Sequence, residues 1–154
     1  MSEFDRKTVE ELVRKVIMEQ MGKPISSQDH VQRDPSGVAA IKLPAVAVDD
    51  SNRLDTGKSG DIVYTKDLLT LQESPRLGCG LMEMKETTFD WTLNYDEIDY
   101  VIEGVLEIII EGRKVRAGAG EVIFIPKNTR IQFSVPSYAR FLYVTYPADW
   151  ANQA

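Results

Sequence analysis

The residues best suited to chemistry are the acids of "NYDEIDYVIEG", residues 94–104. Four carboxylates precede the glycine, and strongly apolar sequence follows: they belong to Asp96, Glu97, Asp99 and Glu103. Side chains alternate along a strand, so Tyr95, Glu97 and Asp99 are predicted to share one face. The pattern itself leaves three alternatives: a solvated strand edge, a metal site, or the remains of a metal site.

Composition restricts the chemistry available to one chain. His30 is the single histidine and lies in a polar stretch, and Cys79 is the single cysteine. These counts argue against Ser-His-Asp or Cys-His catalysis and multi-histidine metal sites, and they exclude an internal disulfide. The net charge of -6 argues against nucleic acid or an anionic membrane as the main partner. No apolar run approaches the roughly 20 residues of a membrane-spanning helix.

An amphipathic helix is predicted over residues 5–22. Thr8 and Glu11 have the spacing of a capping box, and Gly22 is typical of a helix end. Six apolar side chains fall on one face: Val9, Leu12, Val13, Val16, Ile17 and Met21. The polar stretch 24–36 is predicted to be a flexible linker. The helix therefore packs on its own domain or a twin chain, or docks into a groove on another protein.

The pattern changes to short strands at residue 37. Gly or Pro punctuates most of the gaps, and the usual spacing of 8 to 12 residues is typical of an all-β sandwich or barrel. The predicted strands are 38–43, 61–65, 79–85, 97–102, 105–110, 113–117, 121–125, 130–135 and 139–146. The predicted organisation is a docking helix over 1–23, a linker over 24–36 and a β-barrel domain over 37–154.

One phosphate-binding motif is incomplete. Gly57, Lys58 and Ser59 match the end of a P-loop, but Asn52 stands where the first glycine is required. A strand follows in place of the helix whose N-terminus would bind phosphate. These residues are predicted to form a turn.

Two segments resemble the cupin motifs. Glu97 and Gly104 have the spacing of the end of the first motif, and Gly120 and Pro126 that of the start of the second. The resemblance implies a small jelly-roll barrel. The positions of the metal-binding histidines fall among Asp90, Trp91, Thr92 and Leu93, and on Ile131. Only Glu97 remains of four ligands, so no cupin-type transition-metal site is expected.

The sequence resembles one family more closely than it resembles cupins in general. The family is the EutQ family of ethanolamine-utilisation proteins, and the resemblance covers about residues 37–150. It is carried by the segments "FDWTLNYDEIDYVIEG", "IPKNTRIQF" and "RFLYVTYPADW". That resemblance implies a cytoplasmic protein of a bacterial microcompartment, with acetate kinase activity that uses ATP and acetate. It also implies that the helix over 5–22 is an encapsulation peptide for a shell or cargo protein. Related cupins form homodimers, so a homodimer is expected.

The cupin resemblance also implies that Glu97 points into the barrel, with Asp99 and Tyr95 beside it. Buried neighbouring carboxylates are costly unless a proton or cation satisfies them. A hard cation such as Mg²⁺ accepts such oxygen ligands, so the pair is compatible with a magnesium nucleotide. Phosphoryl transfer also demands cations on the phosphates, for which Lys85 and Lys127 are the candidates. The alternative function is a non-catalytic, metal-free scaffold or assembly factor.

Overall fold

The computed structural model describes residues 30–153. The chain divides into two compact units, Met1–Val46 and Ala47–Ala154. In the first unit, strands β1 (Val31–Arg33) and β2 (Ala39–Ile41) pair antiparallel. Within residues 30–153, no helix is long and apolar enough to cross a membrane.

The β1–β2 hairpin includes residues that were predicted to be linker. The Asp34 carboxylate accepts a hydrogen bond of 2.9 Å from the Ser36 N–H, and Gly37 has a φ of 92°. Such Asp and Gly residues favour a tight turn, because Asp bonds to nearby backbone and Gly tolerates positive φ. The polar composition here therefore reflects a turn. The predicted helix and the earlier part of the linker lie outside the described residues.

The second unit is built around a six-stranded antiparallel sheet, which confirms the predicted all-β, cupin-like architecture. Its strands are β3 (Ile62–Asp67), β4 (Gly78–Leu93), β5 (Asp96–Ile110), β6 (Arg113–Gly118), β7 (Val122–Ile125) and β8 (Thr129–Tyr146). The neighbour order is β3–β4–β8–β5–β6, and β7 pairs with another part of β5. The strand β8 therefore lies between β4 and β5.

Strands β5 and β8 each join two predicted strands, because a residue expected to end a strand instead bends it. Gly104 has a φ of 77° and lies between two register shifts of the β5–β8 ladder. Pro136 lies opposite the β-bulge of β4 between Lys85 and Thr87, where a missing N–H is tolerated. The second half of β4, residues 86–93, was not predicted, although its apolar residues alternate.

A stack of three aromatic rings lies within the largely aliphatic core of the barrel. The rings of Phe89, Phe133 and Phe141 stack in series, with centroid distances of 5.5 Å and 6.4 Å. All three side chains are buried. The burial of each one stabilises the folded state by on the order of 2–3 kcal/mol. This stack holds together the long strands β4 and β8, which carry part of the site described next.

Candidate functional site

Strand β5 sends its acids into the barrel. Tyr95, which directly precedes the strand, and Glu97 are 4% exposed, and Asp99 is 0% exposed. The intervening residues Ile98 and Tyr100 lie on the outer face and are exposed. The alternation predicted from the sequence is therefore confirmed, and the solvated-edge alternative does not hold for Glu97 and Asp99.

The two inward carboxyl groups lack conventional partners. Oε1 of Glu97 and both carboxylate oxygens of Asp99 are buried without a hydrogen bond, and so is Oγ1 of Thr145. Thr145 lies directly opposite Glu97 in the β5–β8 ladder. Within residues 30–153 neither carboxyl group forms an ion pair. Ionised carboxylates are acceptors only, so this cluster is short of donors.

Burial determines the protonation of the pair. Burial raises the pKa of Glu97 to about 7. Burial first, and the neighbouring Glu97 charge second, raise the pKa of Asp99 well above its usual range. A proton on one carboxyl group allows it to donate to the other, which supplies one missing bond. The pair therefore holds at least one proton at neutral pH.

Two phenols lie close to this pair and remain protonated. Burial raises the pKa of Tyr95, and the charge of Glu97 adds to the effect. Burial also raises the pKa of Tyr143, whose hydroxyl donates to Oδ1 of Asp67 at 2.7 Å. Tyr143 lies across Gly80, where an added Cβ would be 2.0 Å from its ring. A glycine is therefore required for the ring to take this position.

Trp150 packs over the aromatic end of the barrel, which we call the mouth, and narrows it. Its ring centroid lies 6.3 Å from that of Trp91, 6.0 Å from that of Tyr95 and 6.2 Å from that of Tyr143. Trp150 belongs to a short 3-10 helix, Trp150–Asn152. The segment is tied to the barrel by the Asn94 amide, which donates to the Gln153 carbonyl at 3.2 Å.

A small cavity remains beneath Trp150. Its volume is about 10 Å³, and Glu97 and Trp91 are among its lining residues. That is close to the minimum volume that holds one water molecule. A nucleotide or a hydrated Mg²⁺ does not fit while Trp150 is in place.

The two predicted lysines lie outside the barrel. Lys85 and Lys127 are exposed. The backbone N–H of Lys127 donates to Asp96 at 2.8 Å, next to Glu97 in sequence. Lys85 pairs with Tyr138, whose neighbour Ala139 pairs with Gly104. The two lysines are thus separated by roughly 25 Å along the strands, and the structure does not bring them together.

Of the positions predicted for the cupin histidines, Trp91, Leu93 and Ile131 face the core, whereas Asp90 and Thr92 are exposed. Trp91 and Ile131 face each other in the β4–β8 ladder and are turned towards the core. Neither can bind a transition metal. No group of three His, Cys, Asp or Glu side chains suited to a metal ion occurs in residues 30–153. The described residues therefore do not fit the metal of the cupin superfamily.

The incomplete phosphate motif is a turn, as predicted. Gly57 has a φ of 81°, and its N–H donates to Oδ1 of Asp55 at 2.8 Å. The guanidinium of Arg53 donates to the Ser59 carbonyl at 2.9 Å and fixes the loop. Strand β3 follows this loop where a P-loop requires a helix.

Sequence reasoning missed three residues of the site: Thr145, Tyr143 and Trp150. Thr145 and Tyr143 alternate along β8 with half-buried residues, so the period-two pattern contained their inward direction. No signal in the sequence indicates that Trp150 returns to the mouth, because its contacts are with residues distant along the chain.

Fold and site together define a cupin-type barrel in which other residues stand at the positions of the metal-binding histidines. The cupin domain of Schizosaccharomyces pombe Cnp3 has the same fold, with a TM-score of 0.54 and 14% identity over 70% of this chain and 73% of that one. The family described as "Ethanolamine utilisation protein EutQ" matches residues 4–152, and this chain belongs to that family. The match also includes most of the segment that was predicted to be a docking helix and linker.

Two relatives are much more similar. A curated protein of Clostridioides difficile strain 630, named acetate kinase EutQ, is 65% identical over 153 residues, which are 99% of this chain and 98% of that protein. The solved structure of the Clostridium difficile EutQ protein has a TM-score of 0.80 and 72% identity, over 80% of this chain and 90% of that one. The resemblance seen in the sequence is thereby confirmed.

Proposed function

We propose that this chain is an acetate kinase of ethanolamine utilisation. The observation that carries the proposal is the relative named acetate kinase EutQ, 65% identical over 99% of this chain. In the reaction, an acetate oxygen bonds to the γ-phosphorus of ATP. The bond from that phosphorus to the β–γ bridging oxygen breaks, so that ADP and acetyl phosphate form. Such transfers depend mainly on positioning and charge stabilisation.

We assign the inward face of β5 to this reaction. Glu97 and Asp99 provide oxygen ligands of the kind that Mg²⁺ accepts, and Tyr95 lies beside them. The cofactors would be ATP and Mg²⁺, which neutralises phosphate charge when bound. Because the cavity holds about one water, the nucleotide reaches these residues only after Trp150 has left the mouth. Of the two lysines, Lys127 is the one near this end of β5, while Lys85 is remote.

Neutral isosteres of the two acids test this assignment. Glu97→Gln and Asp99→Asn are each expected to reduce acetyl phosphate formation to background, because neither amide can hold Mg²⁺ as a carboxylate does. The melting temperature should stay equal or rise, since like-charge repulsion is removed. The protein should be produced in a host without its own acetate kinase, and product trapped as the hydroxamate.

Glu103→Gln is the matched control, since Glu103 is an exposed residue of the same strand. It should retain full activity. Wild-type protein without activity would reject the kinase proposal. Full activity in Glu97→Gln would be consistent with the kinase proposal, but it would contradict the assignment of the carboxyl pair to the active site.

The outer face of the barrel supports the homodimer that the cupin resemblance implies. Ile98 lies opposite Phe124, and Tyr100 opposite Val122, in the β5–β7 ladder. Phe124 is 61% exposed and Ile98 is 45% exposed. A contiguous apolar surface of this kind is typical of protein–protein contacts. We propose that a second copy of the chain covers it and forms a homodimer.

Phe124→Lys is expected to convert this dimer into a monomer, because the substitution puts a charge in the centre of the apolar face. Sedimentation equilibrium measures the result directly. Val115→Lys is the control: Val115 is 51% exposed on strand β6, outside that face, and the dimer should persist. A wild-type monomer, or equal dissociation by both variants, would contradict the assigned face.

The remaining part of the proposal concerns location in a cytoplasmic bacterial microcompartment. We propose that residues 1–23 dock on a shell or cargo protein through the apolar face of the predicted helix. Fused to a fluorescent protein, these residues should form puncta in cells that make the shell and stay diffuse without it. Leu12→Glu with Ile17→Glu should abolish the puncta, because two charges fall on the docking face. Diffuse wild-type fusions in shell-making cells would refute the docking role.

A further inference from the structure

The narrowed mouth of the barrel has the composition of a cation cage. Trp91, Tyr95 and Tyr143 surround the Trp150 indole with ring centroids 6.0–6.3 Å away. Beneath it lies Glu97, whose Oε1 is buried and has no partner. Aromatic faces attract cations because each ring carries negative charge on its faces. The aromatic rings and the Glu97 carboxyl group therefore favour the same sign of charge, and the other lining residues, Leu54, Met82, Phe89 and Phe133, carry no charge.

The polar groups below the rings strengthen that preference. Glu97, Asp99 and Thr145 together contribute four buried oxygen atoms without hydrogen bonds. A shared proton satisfies part of the pair and leaves acceptors over. Among the described residues, no lysine, arginine or histidine lines the cavity. An anion in this space would be repelled by the carboxylates, because no positive charge compensates them. A cation with N–H groups would instead donate to oxygen atoms that have no hydrogen-bond donor.

The size of the space limits the cation. The cavity of about 10 Å³ corresponds to one water molecule, and an ammonium group is of that size. Hydrated Mg²⁺ keeps several waters and needs more room. An ammonium group also donates up to four hydrogen bonds, which matches oxygen acceptors better than a spherical ion does. An alkyl tail on the nitrogen would lie where the Trp150 indole now narrows the mouth.

We propose that the barrel mouth is a binding site for a small ammonium cation, with the nitrogen on Glu97 and the Trp91, Tyr95 and Tyr143 rings around it. The Trp150 indole occupies the outer part of the site and is displaced by ligands that carry an alkyl tail. Thr145 and Asp99 form the second layer of acceptors below the nitrogen. This ligand would use the Glu97 carboxyl group that is assigned to Mg²⁺ above, so the two ligands cannot bind there at the same time.

Intrinsic fluorescence of the full chain tests the site, because its two tryptophans, Trp91 and Trp150, are both in it. Titration with ammonium, ethylammonium or 2-hydroxyethylammonium chloride is expected to give a saturable change. Potassium chloride at equal ionic strength, and the neutral alcohol propanol, should give none. Comparison of the three nitrogen compounds shows whether ammonium itself or a tailed primary ammonium is preferred.

Two variants and a matched control identify the residues. Glu97→Gln should abolish the saturable change, while Glu103→Gln, an acid-to-amide change on the outer side of the same strand, should retain it. Trp150→Ala should bind the tailed ammonium compounds roughly tenfold more tightly, because no indole has to leave. Trp91 remains as the reporter in that variant.

Absence of a saturable change in both wild type and Trp150→Ala would overturn the proposal, as would an equal change with potassium chloride. Retention of the saturable fluorescence change in Glu97→Gln would show that the cation binds elsewhere, and would also overturn the proposal. A response to magnesium chloride in place of ammonium would assign the carboxyl pair to the metal and support the kinase site instead. Loss of the kinase activity with intact ammonium binding would reject the phosphoryl-transfer proposal alone.

Discussion

The buried carboxyl pair is expected to make the barrel less stable as pH rises from about 4.5 to above 7. Glu97 has its pKa raised from 4.5 to about 7 on folding. The native state therefore binds more protons than the unfolded chain across that window, and stability falls with pH. The contribution is fully present below pH 4.5 and is lost as pH rises through 7. The loss is on the order of a few kcal/mol for the pair as a whole, since one unit of pKa shift corresponds to about 1.4 kcal/mol, and both carboxyl groups shift stability in the same direction.

The Glu97→Gln, Asp99→Asn double variant isolates this effect, because the other titrating groups are common to both proteins. The difference in unfolding free energy between variant and wild type should increase in favour of the variant over the window. Urea denaturation at a series of pH values gives that difference. A constant difference from pH 4 to pH 8 would show that the pair does not change protonation on folding.

Gly104→Ala is expected to destabilise the protein by more than about 3 kcal/mol. The added Cβ would lie 1.9 Å from the Tyr138 carbonyl oxygen, and the backbone φ is 77°. The contact is with backbone in a paired strand, so neither side can move without breaking the ladder. The glycine of the cupin motif is thus explained by a close approach between β5 and β8.

Gly112→Ala provides the comparison for this substitution. Gly112 has the same φ of 77°, but an added Cβ meets nothing within 4 Å. It should cost only the backbone strain of a positive φ, about 1 kcal/mol. Chemical denaturation of both variants separates the steric part from the conformational part. Equal losses would mean that the β8 backbone adjusts to the methyl group.

The inward direction of Glu97 and Asp99 could be predicted because a strand has a strict period of two. The length of the strands could not, because Gly104 and Pro136 are typical strand-ending residues. Only the partner strand shows that one permits a close approach and the other lies opposite a bulge. Local sequence carries propensity, while the register that decides these cases is a property of residues far apart in the chain.

The candidate site shows the same limit. The pair of acids was visible as a short motif, and the expectation that no cupin-type transition metal binds followed from the absent histidines. The position of Trp150 could not be predicted, since Trp150 contacts Trp91 and Tyr95 only after the barrel has formed. The roles of Lys85 and Lys127 rested on their charge alone, and their roughly 25 Å separation along the strands follows from register.

The position of β8 in the sheet has a consequence for synthesis of the protein. Gly78 pairs with Thr145, and Glu97 pairs with the same residue from the other side. Strands β4 and β5 therefore leave the ribosome well before the strand that joins them, at about 5–20 residues per second. Until β8 emerges, one edge of β4 and one edge of β5 have no partner, which is when such a chain is most prone to aggregate. The two halves of the sheet are thus joined only after translation of β8.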